Sequence, residues 1–198
     1  LGILYVDTGA IYRTIGCAVK RRGTDPHDEA TVCAILPELD IAMRYESDGL
    51  QHMLLNGEDV TEEIRLPEIS MYASAVSAIP AVREYLLEMQ RALARKQSVI
   101  MDGRDIGTVV LPDAEVKIFL TASSEVRAKR RCAELAQRGT PRHYAEVLRE
   151  LVERDYNDSH RAVAPLKPAQ DAVTLDTSEL DFDASREALL ALIREKLK

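Results

Sequence analysis

The chain has no tryptophan and only two phenylalanines. Its three cysteines, Cys17, Cys33 and Cys132, stand far apart with no CxxC spacing. An odd, scattered set favours reduced thiols in a cytoplasm, packed as small hydrophobes, over a disulfide framework. The histidines, His27, His52, His143 and His160, show no metal-ligand spacing and read as surface residues. Long apolar runs are missing too; none approaches the roughly 20 residues a membrane span needs. No secretory leader is legible. Positive charge is in deficit, with 26 Lys and Arg against 33 Asp and Glu, and a net charge of −7 argues against broad nucleic-acid binding. What remains is an ordinary globular composition, 46% hydrophobic and 30% charged over 198 residues. It predicts one soluble, cytoplasmic domain with an inserted subdomain.

Apolar runs alternate with helical patterns. LGILYVD (1 to 7) reads as a strand and TGAIYRTIGCAVKRRG (8 to 23) as a helix, with Ile11, Ile15, Ala18 and Val19 on one face and Gly23 as its stop. Residues 25 to 39 read as a short helix with Asp25 near its start and Pro26 early in it. Residues 40 to 65 alternate instead, with turn signals at Asp48-Gly49 and Asn56-Gly57, and predict a β-rich insert. Residues 66 to 97 return to helical spacing, interrupted near Pro80. Strands are expected at SVIM (98 to 101), 114 to 120 and 171 to 176. Helices are expected after Ser123 or Ser124, over 144 to 161, and from Asp183 to Lys198. The alternation predicts an α/β fold with a parallel sheet and helices on both faces.

Ligands of open α/β sheets sit at the carboxyl ends of the strands. There this chain carries Asp7-Thr8-Gly9 and Asp102-Gly103-Arg104-Asp105. A strand ending in Asp suits a carboxylate that helps hold Mg²⁺ beside a phosphate, and Asp102 and Asp7 are both candidates; each would equally serve as a plain helix cap. Gly103 permits a sharp bend and close approach of a ligand. Arg104 offers a fork of donors suited to a phosphate. Asp105 is left to read donor groups on a base. Farther on, Tyr144, Val147, Leu148, Leu151 and Val152 form an apolar stripe, and Arg154, Asp158 and Arg161 share its edge at i, i+4 and i+7. A solvated salt-bridged face competes evenly with a functional one. The basic run RAKRR (127 to 131) is usually just solvated, but in a phosphate-transfer enzyme such a segment can close over developing charge.

DTGAIYR, ASAVSAIPAVRE, IMDGRDIGTVVLPDAEVKIFL and ERDYNDSHRAVAPL, in this order and spacing, closely resemble bacterial cytidylate kinase, a family of P-loop nucleoside-monophosphate kinases. The resemblance implies transfer of the γ-phosphoryl group of ATP to CMP or dCMP with Mg²⁺, in pyrimidine nucleotide metabolism. It implies a monomer with a core of residues 1–39 and 98–198, a short lid at about 124–143, and a monophosphate-binding region at 40–97 whose insert is about 40–65. Arg13, Arg104 and Arg161 would clamp the CMP phosphate. Ser74, Arg83 and Asp105 would read the cytosine edge. Arg154 and Asp158 would contact the ribose. Thr8 stands where the family often has Ser, Asp102 would lie near Mg²⁺, and Arg127 and Arg131 would approach the ATP phosphates.

The family opens with a strand and a glycine-rich phosphate loop, GxxGxGK[ST], and no such motif occurs in these residues. The expectation is that a segment of some two dozen residues precedes Leu1 and supplies both. Two other readings compete. One is a monophosphate kinase preferring UMP or AMP; the other is a non-catalytic nucleotide-binding module.

Overall fold

The computed structural model describes residues 3–47 and 49–197, so the Asp48 half of the first expected turn lies outside the described residues. The chain divides into two compact units, Leu1–Ile106 and Gly107–Lys198.

In the first unit, β1 (Leu4–Asp7) pairs in parallel with β5 (Val99–Asp102), and the register sets Asp7 opposite Asp102. Helix α1 (Thr8–Arg21) leaves β1 without a loop because Asp7 caps it, its carboxylate accepting the Ala10 N–H at 3.0 Å. The face expected from spacing is buried, with Ile11, Ile15 and Val19 fully covered. Beyond α1, Gly23 adopts φ +66°, the left-handed turn that ends a helix. Helix α2 (Glu29–Ile35) starts later than the expected position near Asp25. Asp28 is its cap, accepting the Thr31 N–H, while Asp25 accepts the His27 N–H in a turn of its own.

The segment with alternating pattern forms an antiparallel sheet of β2 (Ile41–Tyr45), β3 (Gln51–Leu55) and β4 (Glu58–Asp59). Asn56 and Gly57 take φ of 52° and 81°, the conformation an Asn-Gly hairpin requires. Gln51, Met53 and Leu55 alternate inward on β3, which joins the sheet to the core around α1. Helices α3 (Pro67–Val76) and α4 (Pro80–Lys96) follow, each with proline in its first turn, where no N–H is needed. Their Ile69, Val76, Val82 and Leu86 complete the core.

In the second unit, β6 (Ile118–Thr121) pairs in parallel with β7 (Val173–Asp176). β6 begins later than Ala114 because the Ala114 N–H closes a turn onto the Leu111 carbonyl. Helix α5 (Ser124–Gln137) is capped by Ser123. Helices α6 (Tyr144–His160) and α7 (Phe182–Lys196) complete the unit. A small core joins Ala128 and Leu135 of α5 to Val147 of α6, with Leu148 and Leu151 against it. The apolar stripe of α6 is therefore narrower than the sequence suggests. Tyr144 and Val152 are 39% and 50% exposed and stand outside this core. The mixed α/β reading with parallel strands and helices holds. Among the described residues no helix is long and apolar enough to cross a membrane.

Helices α1 and α3 meet without a side chain between them at Gly16. A Cβ there would lie 2.9 Å from the Ala73 backbone nitrogen. In an open helix Gly→Ala stabilises by about 1 kcal/mol. Here Gly16→Ala is expected to destabilise by about 1–3 kcal/mol, because backbone must move to admit the methyl. Urea unfolding checks the sign; a raised midpoint would show the helices packing more loosely.

Candidate functional site

Because the strands are parallel and in register, Asp7 and Asp102 project from neighbouring strand ends. The Asp102 backbone carbonyl accepts the buried Thr8 hydroxyl at 2.6 Å, which fastens the start of α1 to the end of β5. The Asp102 carboxylate accepts the Tyr5 hydroxyl at 2.7 Å. Burial, joined by this hydrogen bond, raises the Tyr5 pKa well above the ordinary phenol range, so the group stays a donor. The Asp7 carboxylate, besides capping α1, lies 3.3 Å from the Arg65 guanidinium and 3.9 Å from that of Arg13. Asp7 thus serves as a cap and an ion-pair partner, the plainer of the two roles open to a strand-end aspartate. At Gly103 a Cβ would lie 2.4 Å from the Thr8 hydroxyl and 2.8 Å from Ile106. What requires glycine there is the chain's own packing, where the sequence suggested room for a ligand.

Asp105, two residues on, turns inward. It forms a buried ion pair with Arg83 of α4, whose guanidinium also donates to the Ser77 carbonyl at 3.1 Å and lies 5.5 Å from the centre of the Tyr12 ring. Ser74, one turn before, accepts the Ser77 hydroxyl on its carbonyl. Of the three residues expected to read a base, Arg83 and Asp105 are thus in direct contact, and Ser74 is linked to Arg83 through Ser77 by its backbone carbonyl. Arg104 is exposed, and its charge reaches Asp102.

In the second unit, Asp158 is 4% exposed and lies 3.7 Å from both Arg154 and Arg161. The Arg161 Nε donates to the Ala164 carbonyl at 2.7 Å, and the Leu166 N–H donates to the Asp158 carbonyl at 2.7 Å. Ala164 sits at φ +50° just before Pro165, a strained conformation that these contacts hold. A solvated face does not describe this cluster. Arg127 and Arg131 lie on α5. Arg127 pairs through both terminal nitrogens with Asp155, and Arg131 pairs with Glu134 at 2.7 Å.

The donor set can be tested against Mg²⁺. Among the described residues no three His, Cys, Asp or Glu side chains group to hold a metal ion. Asp102 keeps an exposed edge, yet the protein atoms around it strip enough hydration to raise its carboxyl pKa. Its Tyr5 hydrogen bond opposes this, and the nearby Asp7 charge adds to it, ahead of weaker relief from Arg104 and Arg13. A carboxylate so placed gains from a cation. Mg²⁺ commonly takes one or two carboxylates, several waters and substrate phosphate oxygens, so the residues fit an ion completed by a nucleotide.

Sequence reasoning missed Tyr5, Tyr12, Gln51, Arg65, Ser77 and Asp155. Tyr5, Gln51 and Arg65 act on a residue far away in the chain, and no local spacing marks such contacts. Asp155 sits inside ERDYNDSH, where the i+4 spacing drew attention to its neighbours.

Comparison with known proteins places the whole chain among relatives of one kind. The family model described as Cytidylate kinase matches residues 1–195. A cytidylate kinase of Caldicellulosiruptor bescii is 49% identical over 198 residues, covering 100% of this chain and 87% of that protein. One from Thermosipho melanesiensis is 48% identical, covering 100% and 88%, and one from Lactobacillus johnsonii is 44% identical, covering 100% and 86%.

Arg83→Met would leave the Asp105 carboxylate buried without its guanidinium. The expected loss of stability is about 3–5 kcal/mol. A urea midpoint close to wild type would show the pair to be dispensable to the fold.

Proposed function

Because the chain belongs to the cytidylate kinase family, we propose that it transfers the γ-phosphoryl group of ATP to CMP or dCMP, giving ADP and CDP or dCDP. The observation that carries this is a family match running from the first strand end to the final helix and including the buried Arg83–Asp105 pair.

Phosphoryl transfer asks little covalent chemistry of a protein; it asks for positioning and for cations to offset anionic repulsion. In the first unit, Arg13 and Arg104 take the CMP phosphate, with Thr8 beside them. Ser74, Arg83 and Asp105 read the base. Cytosine presents an amino donor at C4, suited to Asp105, and acceptors suited to Arg83. Uracil has a carbonyl at C4 and would set an acceptor against the carboxylate. In the second unit, Arg154 and Asp158 take the ribose, Asp158 accepting from a hydroxyl, and Arg161 is a further phosphate ligand. Asp102 holds Mg²⁺, through water, and that ion when bound neutralises charge on the phosphate oxygens. Arg127 and Arg131 are assigned to the ATP phosphates, with residues 124–143 as a lid. For that role each exchanges a carboxylate, Asp155 or Glu134, for phosphate. Residues 40–97 act as the monophosphate-binding region, against a core of 1–39 and 98–198.

The acceptor side can be tested on this chain by calorimetry. CMP and dCMP are expected to bind, and UMP to bind at least about tenfold more weakly, since it leaves a buried acceptor facing another acceptor. Equal or tighter binding of UMP or AMP would overturn the cytosine reading.

Asp158→Asn keeps the side-chain shape but weakens acceptance of a sugar hydroxyl. It is expected to raise the dissociation constants of CMP and dCMP alike by about tenfold. Unchanged constants for both would remove Asp158 from the ribose site.

A further inference from the structure

Arg65 belongs to none of the motifs above, yet it reaches a strand end 58 residues away. It closes a single helical turn (Glu63–Arg65) just before α3. That turn is firmly seated. Ile64 is fully buried, its N–H bonded to the Val60 carbonyl, and Glu63 is engaged by Arg21. From this base the Arg65 guanidinium meets Asp7 Oδ2 at 3.3 Å. Arg13 approaches the same oxygen at 3.9 Å, and the other carboxylate oxygen accepts the Ala10 N–H. The Asp7 side chain is only 15% exposed, so water does little to screen this sharing.

One carboxylate charge is thus divided between two guanidiniums, and Arg65 stands nearer. We propose that Arg65 is a positioning residue for the acceptor phosphate: by holding Asp7, it keeps Arg13 from closing onto that carboxylate and leaves the Arg13 charge directed to the nucleotide. This rests on the reading of Arg13 as a phosphate ligand. Without Arg65, Arg13 is the guanidinium left to answer the Asp7 charge that the α1 cap does not, and a phosphate must break that pair before it can bind.

The test is calorimetric titration of CMP into wild type, Arg65→Ala, Asp7→Asn, the double variant Arg65→Ala/Asp7→Asn, and Arg65→Ala/Glu68→Gln. Asn at position 7 still caps α1, so the fold is retained. Glu68, three residues on, pairs with Lys20 and serves as a control of equal charge change. Arg65→Ala is expected to weaken CMP binding about tenfold. Asp7→Asn is expected to restore most of that loss, and Glu68→Gln none of it. Three results overturn the proposal: normal CMP binding by Arg65→Ala; failure of Asp7→Asn to restore it, which would make Arg65 a direct ligand or a structural prop; or equal rescue by Glu68→Gln, which would leave only net charge. Should Arg65→Ala not fold, Arg65→Gln is read through the same double variants. Wild type that binds no CMP would instead overturn the nucleotide reading, and this proposal with it.

Discussion

A parallel register that aligns Leu4 with Val99 has an electrostatic consequence at its other end: two carboxylates, Asp7 and Asp102, emerge side by side. Like charges so placed repel, and their surroundings must answer. The answer comes from the α1 N-terminus through Ala10, from the Tyr5 hydroxyl, and from Arg65, Arg13 and Arg104. The polar contacts at this strand end follow from this crowding. It also gathers guanidinium groups at one strand end, where a phosphate would meet donors already held in place.

The second unit repeats the theme with different parts. Asp158 stands between Arg154 and Arg161, again one acid shared by two bases. Arg83 and Asp105 differ, being matched one to one and buried, with a carbonyl and a tyrosine ring completing the surroundings of the guanidinium. Shared acids suit the recognition of an anion, whereas a matched pair suits a neutral base that presents donors and acceptors together.

The features legible in the sequence were those set by near neighbours. The inward face of α1, the Asn56-Gly57 hairpin, the interruption near Pro80 and a serine cap at 123 or 124 each depend on residues within a turn or two. The shared side of Arg154, Asp158 and Arg161 follows from helical geometry alone. Elements misjudged at their starts, α2, β6 and β7, were displaced by local turns that compete with regular structure on nearly equal terms. The stripe on α6 was overdrawn because periodicity reports which residues share a face but not how much of it a neighbour covers. Arg65, Tyr5 and Gln51 were invisible because their partners are distant in the chain.

Gln51 shows how the small antiparallel sheet is joined to the rest. Its side-chain amide accepts the Asp7 N–H at 2.8 Å and donates to the Asp7 carbonyl at 3.2 Å, as a neighbouring strand would, while the Tyr45 hydroxyl donates to the Tyr5 carbonyl at 2.9 Å. Among the described residues β1 pairs with β5, and these two side chains bond its backbone in the manner of a ladder. The insert is in this sense a splint, and one that cannot be trimmed or exchanged as a surface ornament. Drift in its sequence would be felt first as looseness in the carboxylate around which the cations are arranged.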